Sequence, residues 1–277
     1  MRFFKNFLFG LRAYWKALRF IKEHKLYWFA LIPAILMLFM YYFGTKITSR
    51  HYVLDDKNMN SIIWSMVRLY FEIIVGFTLM HFAKYIVVIL LSPLFSYLSV
   101  KSEHILTGNS YTLSAKQYYN DIIRGVRIGF RNLFLGYLFF AILYFAAFIG
   151  WEQPEKSPIF FLTFVVWFFY YGFSFLDYVN ERLRWNVDES VDFIRKHRGL
   201  AISIGLVYSL MILVPLDLTI LFTGSSFTDG IIKGSGIYLL HLLLWICASF
   251  APILAIVAAT IAMNDVVDLR NKKLKTV

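Results

Sequence analysis

Apolar residues run in long blocks along this chain, and charged residues gather between the blocks. Leu26–Gly44 holds 19 residues without a charge, and 132–151 and 157–176 hold 20 each. At about 1.5 Å per residue, each block crosses a hydrocarbon core of roughly 30 Å as a helix. The run 61–98 is longer than a bilayer needs and carries Arg68, Glu72, His81 and Lys84. Arg68 and Glu72, four apart, are placed to pair on one helix face. The run 199–216 is interrupted by Asp217 and resumes to Thr228. The run 234–264 has 31 uncharged residues, about 46 Å as a straight helix, so a tilt or a break near Pro252 is expected. The pattern predicts an all-α polytopic membrane protein with about six hydrophobic helical segments, two of them pairing as helical hairpins. The hairpin folded at the polar turn 151–158 either spans fully or dips in and returns.

Shorter stretches carry a helical period instead. Phe4, Phe7, Leu8, Leu11, Trp15 and Leu18 recur on one stripe, with Lys5, Arg12, Lys16 and Arg19 largely off it. This predicts a helix lying in the headgroup plane, with an extension of the first span as the alternative. In 117–131 the polar residues Gln117, Asn120, Arg124, Arg127 and Arg131 form a stripe opposite Ile122, Ile123, Val126 and Phe130. In 186–198 acids precede bases, the order that a helix dipole favours. These stretches are read as amphipathic helices on the cytoplasmic side.

Charge then orients the blocks. Segments 1–25, 96–132, 177–199 and 264–277 hold 7, 5, 5 and 4 Lys+Arg, or 21 of the 28 in the chain. The intervening loops 44–61, 151–158 and 217–236 hold 3, 1 and 1. Positive residues stay on the cytoplasmic side of short loops, so both termini are expected there. Residues 1–25 then form an amphipathic N-terminal helix, 26–264 a transmembrane domain and 265–277 a basic cytoplasmic tail.

Composition agrees with a membrane protein. The chain is 59% hydrophobic and 16% charged, against about 25% charged in soluble domains. The net charge of +11 sits at span ends, so the expected partner is anionic lipid rather than nucleic acid. Cys247 is the one cysteine, which excludes an internal disulfide. The six His have no metal-ligand spacing, and Gly230 to Gly236 has the wrong spacing for a phosphate loop. No metal, cofactor or catalytic cluster is expected.

Three stretches carry a likeness. Residues 91–108 read Leu-Ser-Pro-Leu-Phe-Ser-Tyr-Leu-Ser-Val-Lys-Ser-Glu-His-Ile-Leu-Thr-Gly. Leu176-Asp177-Tyr178 leads into a charged helix, then Arg195-Lys196-His197-Arg198-Gly199-Leu200, Gly205 and Val214-Pro215. Pro252 precedes Ala258-Ala259-Thr260. With the order of the apolar runs, the chain resembles the CysZ-type sulfate permease family, which also includes the eukaryotic etoposide-induced proteins. The matched positions are Pro93, Glu103, Leu106, Thr107, Gly108, Asp177, Tyr178, Gly205, Pro215, Pro252 and Thr260.

The resemblance implies long transmembrane helices, two helical hairpins and homo-oligomers. It also implies passage of sulfate or a related anion across the bacterial inner membrane. Two departures stand out. Sulfate-binding members carry Gly-Leu-Arg at the entrance to the first span, where this chain reads Lys25, Leu26, Tyr27 and Trp28. Lys22 and Lys25 are point charges, which do not reproduce a guanidinium fork. The last hairpin is also enlarged, with 37 positions between Pro215 and Pro252.

The candidate anion-binding residues are therefore Lys22, Lys25, His81, Lys84, Arg124, Arg127 and Arg131. Ionisable residues at membrane depth are functional candidates by default. Each has a plainer reading. Lys84 reaches the headgroups by extending its stem, and the arginines hold the topology. Asp217 is either a proton-linked carboxylate or a solvated turn. Gly125 and Gly129 form a small-xxx-small pair that admits close helix approach. A permease for sulfate or a related anion is the first function; a non-transporting membrane scaffold or partner-binding protein with the same fold is the second.

Overall fold

Backbone N–H and C=O groups in hydrocarbon must be satisfied within their own segment, which leaves helices as the means of spanning for a chain patterned like this one. The computed structural model describes residues 2–48, 59–109, 115–183, 185–212, 220, 231–269 and 273–274. Among them are nine α-helices: α1 Arg2–Glu23, α2 Leu31–Thr48, α3 Met59–Leu90, α4 Ser92–Thr107, α5 Ala115–Gly150, α6 Pro158–Arg182, α7 Val187–Lys196, α8 Arg198–Ile212 and α9 Ile231–Val266. Leu26–Ala30 and Pro154–Lys156 are 3-10 turns, and Val267–Asp268 pairs with Lys273–Leu274 as a short antiparallel ribbon. The chain is an all-α polytopic membrane protein. Among the described residues, Leu26–Gly44, Ile123–Gly150, Pro158–Glu181 and Gly234–Val266 are each long and apolar enough to cross a bilayer.

Three boundaries differ from the sequence expectation. The run 61–98 is divided at Leu91, where α3 ends and α4 begins. Pro93 lies in the first turn of α4, where its missing N–H leaves no bond unmade. The amphipathic stretch 117–131 and the apolar block after it form one helix, α5, of 36 residues, about 54 Å long. No break occurs at Pro252, which lies inside α9. The helix is held from outside there: residues 251–263 are all buried, against α4, α6 and α8. Packed neighbours are what let a membrane helix keep an internal proline.

The centre of the protein is α9, flanked by α1, α4, α6 and α8. Its buried stretch is rich in Ala (251, 255, 258, 259, 262), and short side chains let four neighbours approach. The α6–α8 crossing is closer still. A Cβ at Gly172 would strike the Ala201 carbonyl oxygen, and one at Gly205 the Phe168 carbonyl oxygen. Helix α1 lies over α8 and α9 with Ala13, Tyr14, Ala17 and Ile21 inward. Tyr14 donates its hydroxyl to the Ile204 carbonyl at 2.6 Å. Burial pushes its phenol well above the usual range, so it stays a donor. Phe4, Leu8, Trp15 and Leu18 of the sequence stripe face outward, the arrangement expected of a helix that also contacts lipid. Helix α7 begins at a capping box, in which Asn186 and Glu189 satisfy each other's backbone N–H.

Candidate functional site

Helix α4 brings a polar seam into the apolar bundle. Ser92, Ser96, Ser99 and Glu103 are spaced four, three and four apart, so they share one face, and all are buried. Ser99 Oγ lies 3.0 Å from Thr260 Oγ1 on α9. Thr260 gives its own proton to the Ile256 carbonyl at 2.9 Å, so Ser99 is the donor between them. Ser102 is buried beside the seam, and its hydroxyl has no hydrogen-bond partner among the described residues. Such a row of hydroxyls is able to exchange hydrogen bonds with a partly dehydrated ion.

The Leu-Thr-Gly ending of that segment is a helix stop. Gly108 has φ 77°, in the left-handed region, and its N–H bonds the His104 carbonyl at 2.8 Å. Thr107 Oγ1 donates to the Glu103 carbonyl at 2.9 Å. Asn109 Nδ2 donates to the Leu269 carbonyl at 3.1 Å, joining this end to the ribbon after α9.

A second polar group ties α5, α6 and α7. Arg124 donates from Nε and Nη2 to the Asp177 carboxylate at 3.3 and 3.2 Å, and from Nη1 to the Trp185 carbonyl at 2.9 Å. Ser190 Oγ donates to Asp177 Oδ1 at 2.5 Å, and Asn180 Nδ2 donates to Ser190 at 2.8 Å. Asp177, Asn180 and Ser190 are buried. The Leu-Asp-Tyr motif thus holds three helices in register. Next to it, Gly125 permits the close approach of α4, since a Cβ there would meet Ser92 Oγ.

The other predicted cations are dispersed. Arg127 is exposed, while Arg131 is half-buried, its guanidinium 4.9 Å above the Phe173 ring and bonded through Nη2 to Asn132 at 3.4 Å. Lys22 and Lys25 are exposed at the end of α1. Arg68 and Glu72 pair at 3.1 Å, as their spacing predicts. The side chains of His81 and Lys84 lie outside the described residues, as do Pro215 and Asp217. Among the described residues, the candidates do not converge on one pocket. Sequence reasoning missed Lys101, whose ammonium lies 5.2 Å from the Phe29 ring and 5.7 Å from the Tyr97 ring. This sets a cation beside the first-span entrance from a helix some 70 positions away. No spacing rule signals a contact at that separation.

The entrance itself is strained. Lys25 has φ 55° and ψ 32°, a left-handed conformation that glycine adopts freely. By the family resemblance, it stands where the Gly of Gly-Leu-Arg would fall. The left-handed region costs an L-residue about 1–2 kcal/mol, while an added glycine loses roughly 0.5–1 kcal/mol in backbone entropy. Lys25→Gly is therefore expected to stabilise the fold by about 0.5–1 kcal/mol. A higher thermal midpoint in detergent checks this; a lower one would mean that the lysine side chain holds the turn.

Span-length helices, an internal hydroxyl seam and an interhelical ion pair define a multi-pass α-helical membrane protein with polar groups between its helices. Residues 13–223 match the family described as "Sulfate transporter CysZ/Etoposide-induced protein 2.4". That is most of the 277-residue chain, and the protein belongs to this family. No curated protein and no solved structure matches it.

Proposed function

We propose that the protein is an inner-membrane permease for sulfate or a related oxyanion, acting as a homo-oligomer with both termini in the cytoplasm. The family match over residues 13–223 is the observation that carries this reading. The buried seam of Ser92, Ser96, Ser99 and Thr260 supports it, because hydroxyl donors between packed helices replace the water an anion sheds. Exposed Arg127, Lys22 and Lys25 would raise the local anion concentration at the mouth. Arg124 acts through the Asp177 pair, as an anchor rather than a ligand.

Flux of labelled sulfate, thiosulfate and phosphate into proteoliposomes tests the proposal. Oxyanion uptake above that of empty vesicles is expected. Arg127→Ala together with Lys25→Ala should lower it severalfold at low salt and less at high salt, as screening predicts. Absence of flux for all three ions would refute the permease.

A specific observation also favours a scaffold that has lost transport. The first-span entrance presents Lys25, Tyr27 and Trp28 to the outside where the sulfate-binding members place a guanidinium. A single stoichiometric partner on purification, without flux, would decide for the scaffold.

A further inference from the structure

We propose that the cleft between the C-terminal ends of α1 and α9 binds the headgroup of an aminophospholipid of the phosphatidylethanolamine type. The cleft encloses about 370 Å³. Its floor is apolar, built from Phe20 and Ile261, and its rim carries both signs of charge: Lys16 and Arg19 against Glu23 and Asp265. Lys16 and Asp265 bridge the two helices at 2.7 Å and keep the cleft's shape.

Several features point to a ligand with one cationic and one anionic group and an apolar body. Three helices end at this place: α1 at Glu23, α4 at Thr107 and α9 at Val266. Helix C-termini carry partial negative charge, and they add to the Glu23 and Asp265 carboxylates. An ammonium is favoured there. A phosphate fits one turn back along α1, where the Arg19 guanidinium, on the same face as Glu23, is exposed for bidentate contact. Trp15 lines the cleft and is 77% exposed. It also belongs to the outward stripe with Phe4, Leu8 and Leu18, so the headgroup cleft continues into an apolar surface fit for acyl chain. A lipid carrying only negative charge brings no cation to Glu23 and the helix ends, Asp265 being already paired with Lys16. A choline headgroup brings a cation that donates no hydrogen bond. This inference is independent of whether the protein transports an anion.

The test uses the full chain purified in detergent, titrated with brominated phosphatidylethanolamine, phosphatidylglycerol and phosphatidylcholine. Binding is read as the tryptophan quenching lost in Trp15→Phe, which isolates one Trp among seven. Phosphatidylethanolamine is expected to bind severalfold more tightly than the other two. Glu23→Gln should weaken it about three- to fivefold while leaving phosphatidylglycerol unchanged. Arg19→Gln should weaken both. Both residues are exposed, so the variants are expected to keep the parent melting temperature, which is measured alongside. Equal or tighter binding of phosphatidylglycerol would overturn the proposal. An unchanged affinity in a folded Glu23→Gln would do so too. Equally tight competition by soluble glycerophosphoethanolamine would remove the lipid as the occupant.

Discussion

Asp177→Ala is expected to lower folding stability by about 3–5 kcal/mol, the usual cost of leaving one half of a buried ion pair behind. The Asp177 side chain is only 5% exposed and that of Arg124 19%, so water makes up little of what is lost. Three donors converge on this carboxylate: two nitrogens of Arg124 and the hydroxyl of Ser190. Without it, the guanidinium keeps the Trp185 carbonyl alone among its described acceptors. Helices α5, α6 and α7 lose their shared anchor at once. At roughly 2–4 °C per kcal/mol, the melting midpoint in detergent should fall by at least about 6 °C. Asp177→Asn keeps the shape without the charge and should fall between. The double variant Arg124→Met, Asp177→Leu should recover most of the loss, since an apolar pair of similar volume carries no desolvation penalty. A single variant that melts with the wild type would show that this network is not structural. Transport assays on Arg124 variants have to be read against this fold defect.

Gly205→Ala should cost about 1–3 kcal/mol, and Gly205→Leu should prevent folding. The atom in the way of a Cβ is the Phe168 carbonyl oxygen, part of the α6 backbone rather than the end of a flexible side chain. Gly172 meets the Ala201 backbone in the same way from the opposite helix, so the two glycines define a single contact. Neither helix relieves the clash without moving apart, and separation would undo the van der Waals contact that drives helix association in lipid. Gly236→Ala is the matched control. It lies in α9 with no atom within 4 Å of an added Cβ, so alanine there should be neutral or stabilising by up to about 1 kcal/mol. The ratio of monodisperse to aggregated protein after a heating series separates the two outcomes. Equal behaviour of Gly205→Ala and Gly236→Ala would remove the close crossing.

The helical membrane architecture was legible in the chain because it follows from local patterning. Nineteen or twenty uncharged residues in a row form a helix in lipid whatever surrounds them. A helix within 186–198, from its acids preceding its bases, and the Arg68–Glu72 pair were legible because both are set by local sequence; the Asn186 cap was not read from it. The chain also carried the family motifs, though not their roles. Leu-Thr-Gly proved to be a left-handed helix stop, and Leu-Asp-Tyr an interhelical clamp.

Everything that depends on contacts between distant residues was decided by the tertiary structure. A tilt or a break near Pro252 was expected; the helix runs through without a break, because its buried packing holds the turns that the missing N–H would release. The α4 serines look unremarkable in sequence; they become a seam once Thr260, 161 positions from Ser99, comes within hydrogen-bonding distance. Arg124 reads from the chain as a cation on a polar stripe, either gathering anions or holding the topology, and only the packed bundle supplies its partner, Asp177, 53 positions away. Local spacing determines which face a side chain occupies, whereas the group that meets it there is a property of the packed bundle.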